Sequence, residues 1–243
     1  MSRIRWAFGL ALLALPTAAC AGPPFLTDDP EPTEFGHWEI YAPLFEAEGS
    51  GADFDGALGA EINYGAAPGV QLTLGLPIAY SHDRAGWRWG AGDLEASVKY
   101  RFYEDEAAGF QIAAFPGVTL PTATRGLGAG KVTAFLPVWA QKDSGPWSVF
   151  GGGGYAVNPG SGNRDYWTGG VAVTRKLGER WLVGAEIDRQ GADTAGGRAS
   201  TSAGLGATVD LEGPLRLLAS GGPTWSDGGG SGFHAFAALG LDF

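Results

Sequence analysis

The chain has 243 residues, a formal charge of −10, 42 glycines, nine tryptophans, one methionine and one cysteine. The acidic balance argues against nucleic acid as a partner, which needs a basic face, and a lone cysteine excludes an internal disulfide. So much glycine makes a soluble core hard to specify, because each ordered glycine forfeits more conformational freedom than other residues.

Arg3 and Arg5 precede an apolar run from Trp6 to Leu15, broken by Pro16, and Ala19-Cys20-Ala21 fits the small-x-small cleavage pattern. Residues 1–21 therefore read as a signal peptide with Gly22 as the new N-terminus. Cleavage after Ala21 discards Cys20; lipidation of Cys20 at a poor lipobox is the alternative. No stretch reaches the roughly 20 apolar residues of a spanning helix. The other architecture that satisfies every backbone group in lipid is a closed barrel.

Residues 22–36 form an acidic, proline-rich segment that begins on the periplasmic side. Pro23, Pro24, Pro30 and Pro32 deny it a helix or a sheet ladder, because proline has no N–H to donate. Phe25 and Leu26 are an apolar tip among Asp28, Asp29, Glu31 and Glu34. In one reading the segment plugs the periplasmic mouth through Phe25, Thr27, Asp28 and Asp29. Phe25 then packs inside, and Asp28 or Asp29 meets Lys99 or Arg101. In the other it is a loose acidic tail.

Residues 37–243 divide into segments of about ten residues separated by turn residues, the signature of transmembrane strands. The segments are 37–47, 54–65, 69–80, 92–103, 109–120, 132–142, 146–157, 165–177, 180–190, 200–211, 214–225 and 232–243. The predicted fold is thus all-β: a transmembrane, antiparallel, up-and-down barrel of about twelve strands, an even number as such barrels require. Segment 92–103 puts Leu94, Ala96, Val98, Tyr100 and Phe102 on one face and Asp93, Glu95, Ser97, Lys99 and Arg101 on the other. Segments 69–80 and 180–190 alternate in the same way, whereas 132–142 is apolar on both faces and its register stays open. Connections after even-numbered strands are short and the others tend to be longer, which puts both termini in the periplasm.

Aromatic residues fall near segment ends, as interfacial girdles demand. Trp38, Tyr64, Phe102, Phe110, Trp147, Trp181 and Phe243 mark the periplasmic level; Phe54, Tyr80, Trp167, Trp225 and Phe233 mark the outer one. The final segment carries an apolar face and ends on Phe243, a pattern similar to the signal read by the outer-membrane assembly machinery.

By parity, Glu39, Glu61, Glu95, Lys99, Arg101, Glu186, Asp188 and Arg216 point into the lumen. These charges either tune a permeation path or pair with one another to fill the interior. Twelve strands about 4.8 Å apart and tilted about 40° give a diameter near 24 Å, which side chains reduce to about 10 Å. Other chemistry is poorly supported. Gly126 to Lys131 lacks the spacing and helix of a phosphate loop. Asp53 with Asp55, and Asp28 with Asp29, do not match a calcium loop. His37, His82 and His234 pair with no serine in a catalytic pattern. No catalytic residue, metal or cofactor is therefore assigned.

The run Pro24-Phe25-Leu26-Thr27-Asp28-Asp29-Pro30, followed by Gly36-His37-Trp38-Glu39, resembles the start of a family of Gram-negative outer-membrane proteins. These are labelled putative transporters or proteins of the meta-pathway of phenol degradation. The resemblance implies an outer-membrane barrel and a transport role, with hydrophobic or aromatic compounds as cargo. The expected function is a channel or transporter for small, hydrophobic or aromatic molecules. A lipid-acting enzyme and a structural or adhesion barrel are the alternatives. The expected partners are outer-membrane lipid and lipopolysaccharide, the barrel-assembly machinery acting through Phe243, and the small-molecule cargo.

Overall fold

The computed structural model describes residues 24–243; the signal peptide assigned to residues 1–21, with Cys20, lies outside the described residues. Every regular element is a strand. In chain order they are β1 (Trp38–Ser50), β2 (Asp53–Ala67), β3 (Val70–Asp83), β4 (Gly86–Ala91 and Leu94–Asp105), β5 (Phe110–Ala114 and Gly117–Leu120) and β6 (Thr133–Ser144). They continue as β7 (Trp147–Val157), β8 (Tyr166–Leu177), β9 (Trp181–Gln190), β10 (Ser200–Asp210), β11 (Leu215–Ser226) and β12 (Ser231–Asp242). The two stretches of β4 pair with the outer and inner halves of β3, so they form one strand interrupted at Gly92–Asp93. Those of β5 both lie between β4 and β6 and are interrupted at Phe115–Pro116. Neighbours pair antiparallel in sequence order, and β1 pairs with β12 from Glu39↔Asp242 to Gly49↔Phe233. The result is a closed antiparallel barrel of twelve strands, which leaves no sheet edge unpaired.

The termini and the tightest run of turns share one end, the periplasmic one by the usual topology of such barrels. Trp38 N donates to Phe243 O at 2.7 Å, so the chain's last residue is stitched to the first strand. Gly69 (φ +74°) and Gly145 (φ +58°) occupy left-handed turn positions there, which glycine adopts without steric cost. At the outer end the connections are longer only in part. Gly51–Ala52 and Arg84–Ala85 are two-residue turns, and only 121–132, 158–165 and 191–199 are extended loops. The segment 81–91, expected as a loop, is the upper part of the β3–β4 hairpin. Trp87 and Trp89 alternate there with Arg88 and Gly90, so the strand pattern continues past His82.

Period-two alternation sets the two faces. Leu72, Leu74, Leu76, Ile78, Val138 and Leu205 are exposed on the outer wall, where lipid replaces water as solvent. The girdle aromatics cap this band. Trp38 and Tyr64 lie 4.5 Å apart at the periplasmic level, and Tyr155 and Trp167 lie 5.2 Å apart at the outer one. Trp87 joins the outer girdle against Phe54 and Tyr80, and Trp89 stands 76% exposed beside them. In β6 the structure settles the open register: Trp139 and Gln141 are buried inward, while Leu136 and Val138 face out.

Candidate functional site

The N-terminal segment lies inside the barrel. Having four prolines, it makes no ladder of its own, and its backbone groups are satisfied by side chains of the wall. Leu26 N and Thr27 N donate to the two carboxylate oxygens of Glu186 at 3.0 and 2.9 Å. Thr33 N donates to Gln71 Oε1 at 2.7 Å, and Ser220 Oγ donates to Pro24 O. Phe25 is 7% exposed, with its ring 6.2 Å from that of Phe150. The wall makes room for it with glycine. A Cβ on Gly184 would sit 2.9 Å from the Phe25 ring, and one on Gly206 would sit 2.7 Å from it. Gly170 likewise leaves space for the Thr27 hydroxyl.

Two charged contacts fix the next turn of the segment. Lys99 Nζ donates to Asp28 Oδ1 at 3.1 Å and lies 3.7 Å from Asp29 Oδ1, while the Phe115 ring covers it at 4.8 Å. Asp29 is 3% exposed and Lys99 is also buried. Burial holds the Asp29 carboxyl well above the usual carboxylate range, against the pull of Lys99. Burial likewise pushes Glu31 up to about 7; Arg101, Lys99 and Lys176 draw it down and Asp143 raises it further.

The charged positions named from parity fall into two groups by their contacts. In the periplasmic half the charges are paired. Arg216 meets Glu39 at 3.4 Å and also Asp242, and Tyr41 OH donates to Glu39 at 2.7 Å. Arg101 donates to Gln111 at 2.9 Å and meets Glu104 at 2.9 Å. Glu61, Glu95 and Asp188, farther from the periplasm, have no arginine or lysine within 4.0 Å among the described residues. Glu186, between the groups, is taken by the segment. Parity reading missed Glu46 and Glu48. A bulge between Tyr41 and Leu44 shifts the register, so Glu39 and Tyr41 point inward at odd positions but Leu44, Glu46 and Glu48 at even ones. Pro43 was the available signal, since proline inside a strand marks a bulge or an edge.

The segment divides the interior. On its periplasmic side lies a cavity of about 720 Å³ between Lys176, Arg180, Thr208 and Arg216. Beyond it are two outer cavities with Leu26 between them. One, of about 490 Å³, is lined by Phe115, Phe135, Trp139, Tyr166, Glu95 and Asp28. The other, of about 330 Å³, is lined by Tyr41, Leu44, Phe236, His234, Glu46 and Glu48. At the outer mouth the Asp93 carboxylate accepts Ala123 N and Ala129 N, both at 2.8 Å, and so pins the loop 121–132 to the break in β4.

A closed twelve-stranded barrel with an apolar outer band and a polar interior has the architecture of outer-membrane β-barrels. No family model matches the chain, and no curated protein matches its sequence. Solved structures do match its fold. An outer membrane channel from Pseudomonas putida F1 superposes with a TM-score of 0.68 at 14% identity, over 88% of this chain and 98% of that one. The KdgM porin gives 0.60 at 10% identity (84% and 99% covered), and the NanC porin gives 0.58 at 9% identity (84% and 98%).

Proposed function

We propose that the protein is an outer-membrane channel for small, hydrophobic or aromatic molecules, and that its N-terminal segment is the plug that closes it. The carrying observation is the position of residues 24–33 between one periplasmic and two outer cavities. The aromatic lining contributed by Phe115, Phe135, Trp139 and Tyr166 supports a partly apolar cargo, since planar rings offer large contact area to apolar solutes. The resemblance of residues 24–39 to proteins labelled for phenol degradation points the same way, and fold likeness to outer-membrane channels and porins fits it. On this reading the outer band seats in lipid and lipopolysaccharide, and the strand ending at Phe243 is what the assembly machinery engages.

The test is conductance in planar bilayers. Deleting residues 23–33 removes the plug and its contacts to Glu186, Lys99 and Gln71. The deletion protein, shown to be folded by heat-modifiable migration, is expected to conduct several-fold more than the intact chain. Equal conductance removes the plug, and no conductance or solute uptake from either protein removes the channel.

A further inference from the structure

The smaller outer cavity holds an arrangement that plug and barrel do not account for. Glu48 on β1 stands opposite Asp55 on β2 and opposite His234 on β12; Glu46 lies one inward position deeper, opposite Ala57 and Phe236. Like charges directly opposite in a ladder destabilise it. Elsewhere in this lumen such costs are met by arginine or lysine, as at Glu39 and Asp28. Around Glu46, Glu48 and Asp55 no cationic side chain lies within 4.0 Å among the described residues. The His234 imidazole lines the same cavity and is 8% exposed; its Nε2 lies 3.9 Å from Glu186 Oε1, beyond hydrogen-bond reach, and neither ring nitrogen has a hydrogen-bond partner. Buried polar groups are nearly always paired, so an orphan of this kind needs a cause. A third carboxylate, Glu61, and the Ser220 hydroxyl also line it; the remainder is mainly apolar, with Phe25, Leu26, Leu44, Phe236 and the Tyr41 ring.

We propose that this cavity is a binding subsite for a small amphipathic organic cation, an arylalkyl- or alkyl-ammonium. An ammonium group has three donors and no acceptor. It complements the Glu46, Glu48 and Glu61 carboxylates, all of which accept, and can donate to an unprotonated His234 ring nitrogen. Its positive charge offsets the repulsion between Glu48 and Asp55. The apolar body fits against Leu44 and Phe236, and the Tyr41 and Phe25 rings add the attraction of an aromatic face for a cation. A bare metal ion would leave that apolar lining without a partner, and a carboxylate solute would meet Glu46 and Glu48 as like charges. The inference deepens the channel reading by naming the solute class its outer cavity prefers.

The experiment measures equilibrium binding of phenethylammonium, its neutral isostere 2-phenylethanol and its anionic counterpart 3-phenylpropionate to the full-length protein in neutral detergent. The cation is expected to bind about tenfold or more tightly than the alcohol, the scale of a charge pair in a half-solvated site, and the anion not at all. In a Glu46→Gln/Glu48→Gln variant, which leaves only Glu61, the preference for the cation is expected to fall several-fold while affinity for the alcohol stays. If that variant fails to fold, the wild-type protein still decides, since raising salt should weaken binding of the cation and leave the alcohol unchanged. Equal affinity for cation and alcohol, or a preference unmoved by both the double substitution and salt, overturns the subsite. Because binding is measured without conduction, a protein that binds the cation but never conducts keeps the subsite and sinks the channel. One that conducts and binds without charge preference does the reverse.

Discussion

Lys99 is the residue whose removal should most clearly undock the N-terminal segment. Its ammonium lies 3.1 Å from Asp28 and 3.7 Å from Asp29, and both it and Asp29 are buried. Lys99→Met keeps the length and apolar stem but leaves two carboxylates facing each other without a cation. Breaking a buried pair from one side costs about 3–5 kcal/mol. Water in the lumen and the partial exposure of Asp28 reduce this to roughly 2–3 kcal/mol. That shifts the ratio of docked to undocked segment by roughly 30- to 150-fold. The expected result in bilayers is a rise in open probability towards that of the 23–33 deletion, together with new protease sensitivity near Phe25. Restoring charge balance with Asp28→Asn and Asp29→Asn on the Lys99→Met background should recover part of the closed state, and the double-mutant comparison isolates the pair. The sign of the pH dependence is fixed as well. Asp29 is already held above the usual carboxylate range by burial, so without Lys99 the docked state takes up a proton that the free segment does not. The Lys99→Met defect must shrink as pH falls. A folded Lys99→Met protein with unchanged conductance, or a defect that grows on acidification, would refute the reasoning.

Three further outcomes test the rest of the arrangement. Gly206→Val places side-chain atoms where the Phe25 ring now lies, since even a Cβ there sits 2.7 Å from it; conductance and protease sensitivity near residue 25 should both rise, and adding Phe25→Ala should reduce both by removing the clash. Glu31, raised to about 7 mainly by burial among Arg101, Lys99, Lys176 and Asp143, binds its proton more tightly docked than free, so docking strengthens as pH falls through about 7. Conductance should accordingly be lower near pH 5.5 than near pH 8, and Glu31→Gln should flatten that profile. Asp93→Ala removes the acceptor of Ala123 N and Ala129 N. At about 1.5–3 kcal/mol per hydrogen bond to a charged group, the loop 121–132 should exchange its amide hydrogens faster while the barrel's heat-modifiability is retained.

How much of this was legible in the sequence depended on whether local pattern or long-range contact decided a position. The strands were legible because lipid outside and water inside impose strict alternation, which Leu72 to Ile78 and Leu94 to Phe102 display. Turn prolines and glycines fixed the periplasmic boundaries to within a few residues. Two kinds of position escaped. The first is the stretch beyond a local break in period, as at Glu46 and Glu48 after Pro43, where one irregular residue pair turns the whole upper strand over. The second is residues whose partner lies far along the chain. Nothing local to Gly184 or Gly206 says that Phe25 fills the space they leave, because the meeting spans about 160 to 180 positions of sequence. The glycines were visible, and the smallness of neighbouring inward positions on β8 to β10 was the available clue that something else occupies that part of the lumen.

The two readings of the lumen charges, pairing or permeation, are not alternatives for the barrel as a whole; they divide it by depth. At the segment Lys99 meets Asp28, and below it Arg101 and Arg216 each meet a carboxylate. Substituting any one of them removes a partner, so its first effect is on packing and docking. Above the segment, Glu46, Glu48, Glu95 and Asp188 face water without a cation, so their substitution costs the fold little. It changes mainly what a solute meets. The physical consequence is a mainly negative lumen wall above the segment, its field focused by low-dielectric walls, that ends where Lys99 lies against Asp28 and Asp29. On the proposed reading of the segment as a plug, a cation drawn inward by that field arrives at the residues holding it in place. There it competes for the same carboxylates as Lys99, while an anion is turned away before reaching them. On that reading solute charge and plug position are coupled through Asp28 and Asp29. The coupling is measurable: phenethylammonium added from the outer side should raise open probability in the wild-type protein, and should lose that effect once both aspartates are replaced by asparagine. An equal effect from 2-phenylethanol would show that the apolar body alone displaces the plug and that the charge at its base plays no part.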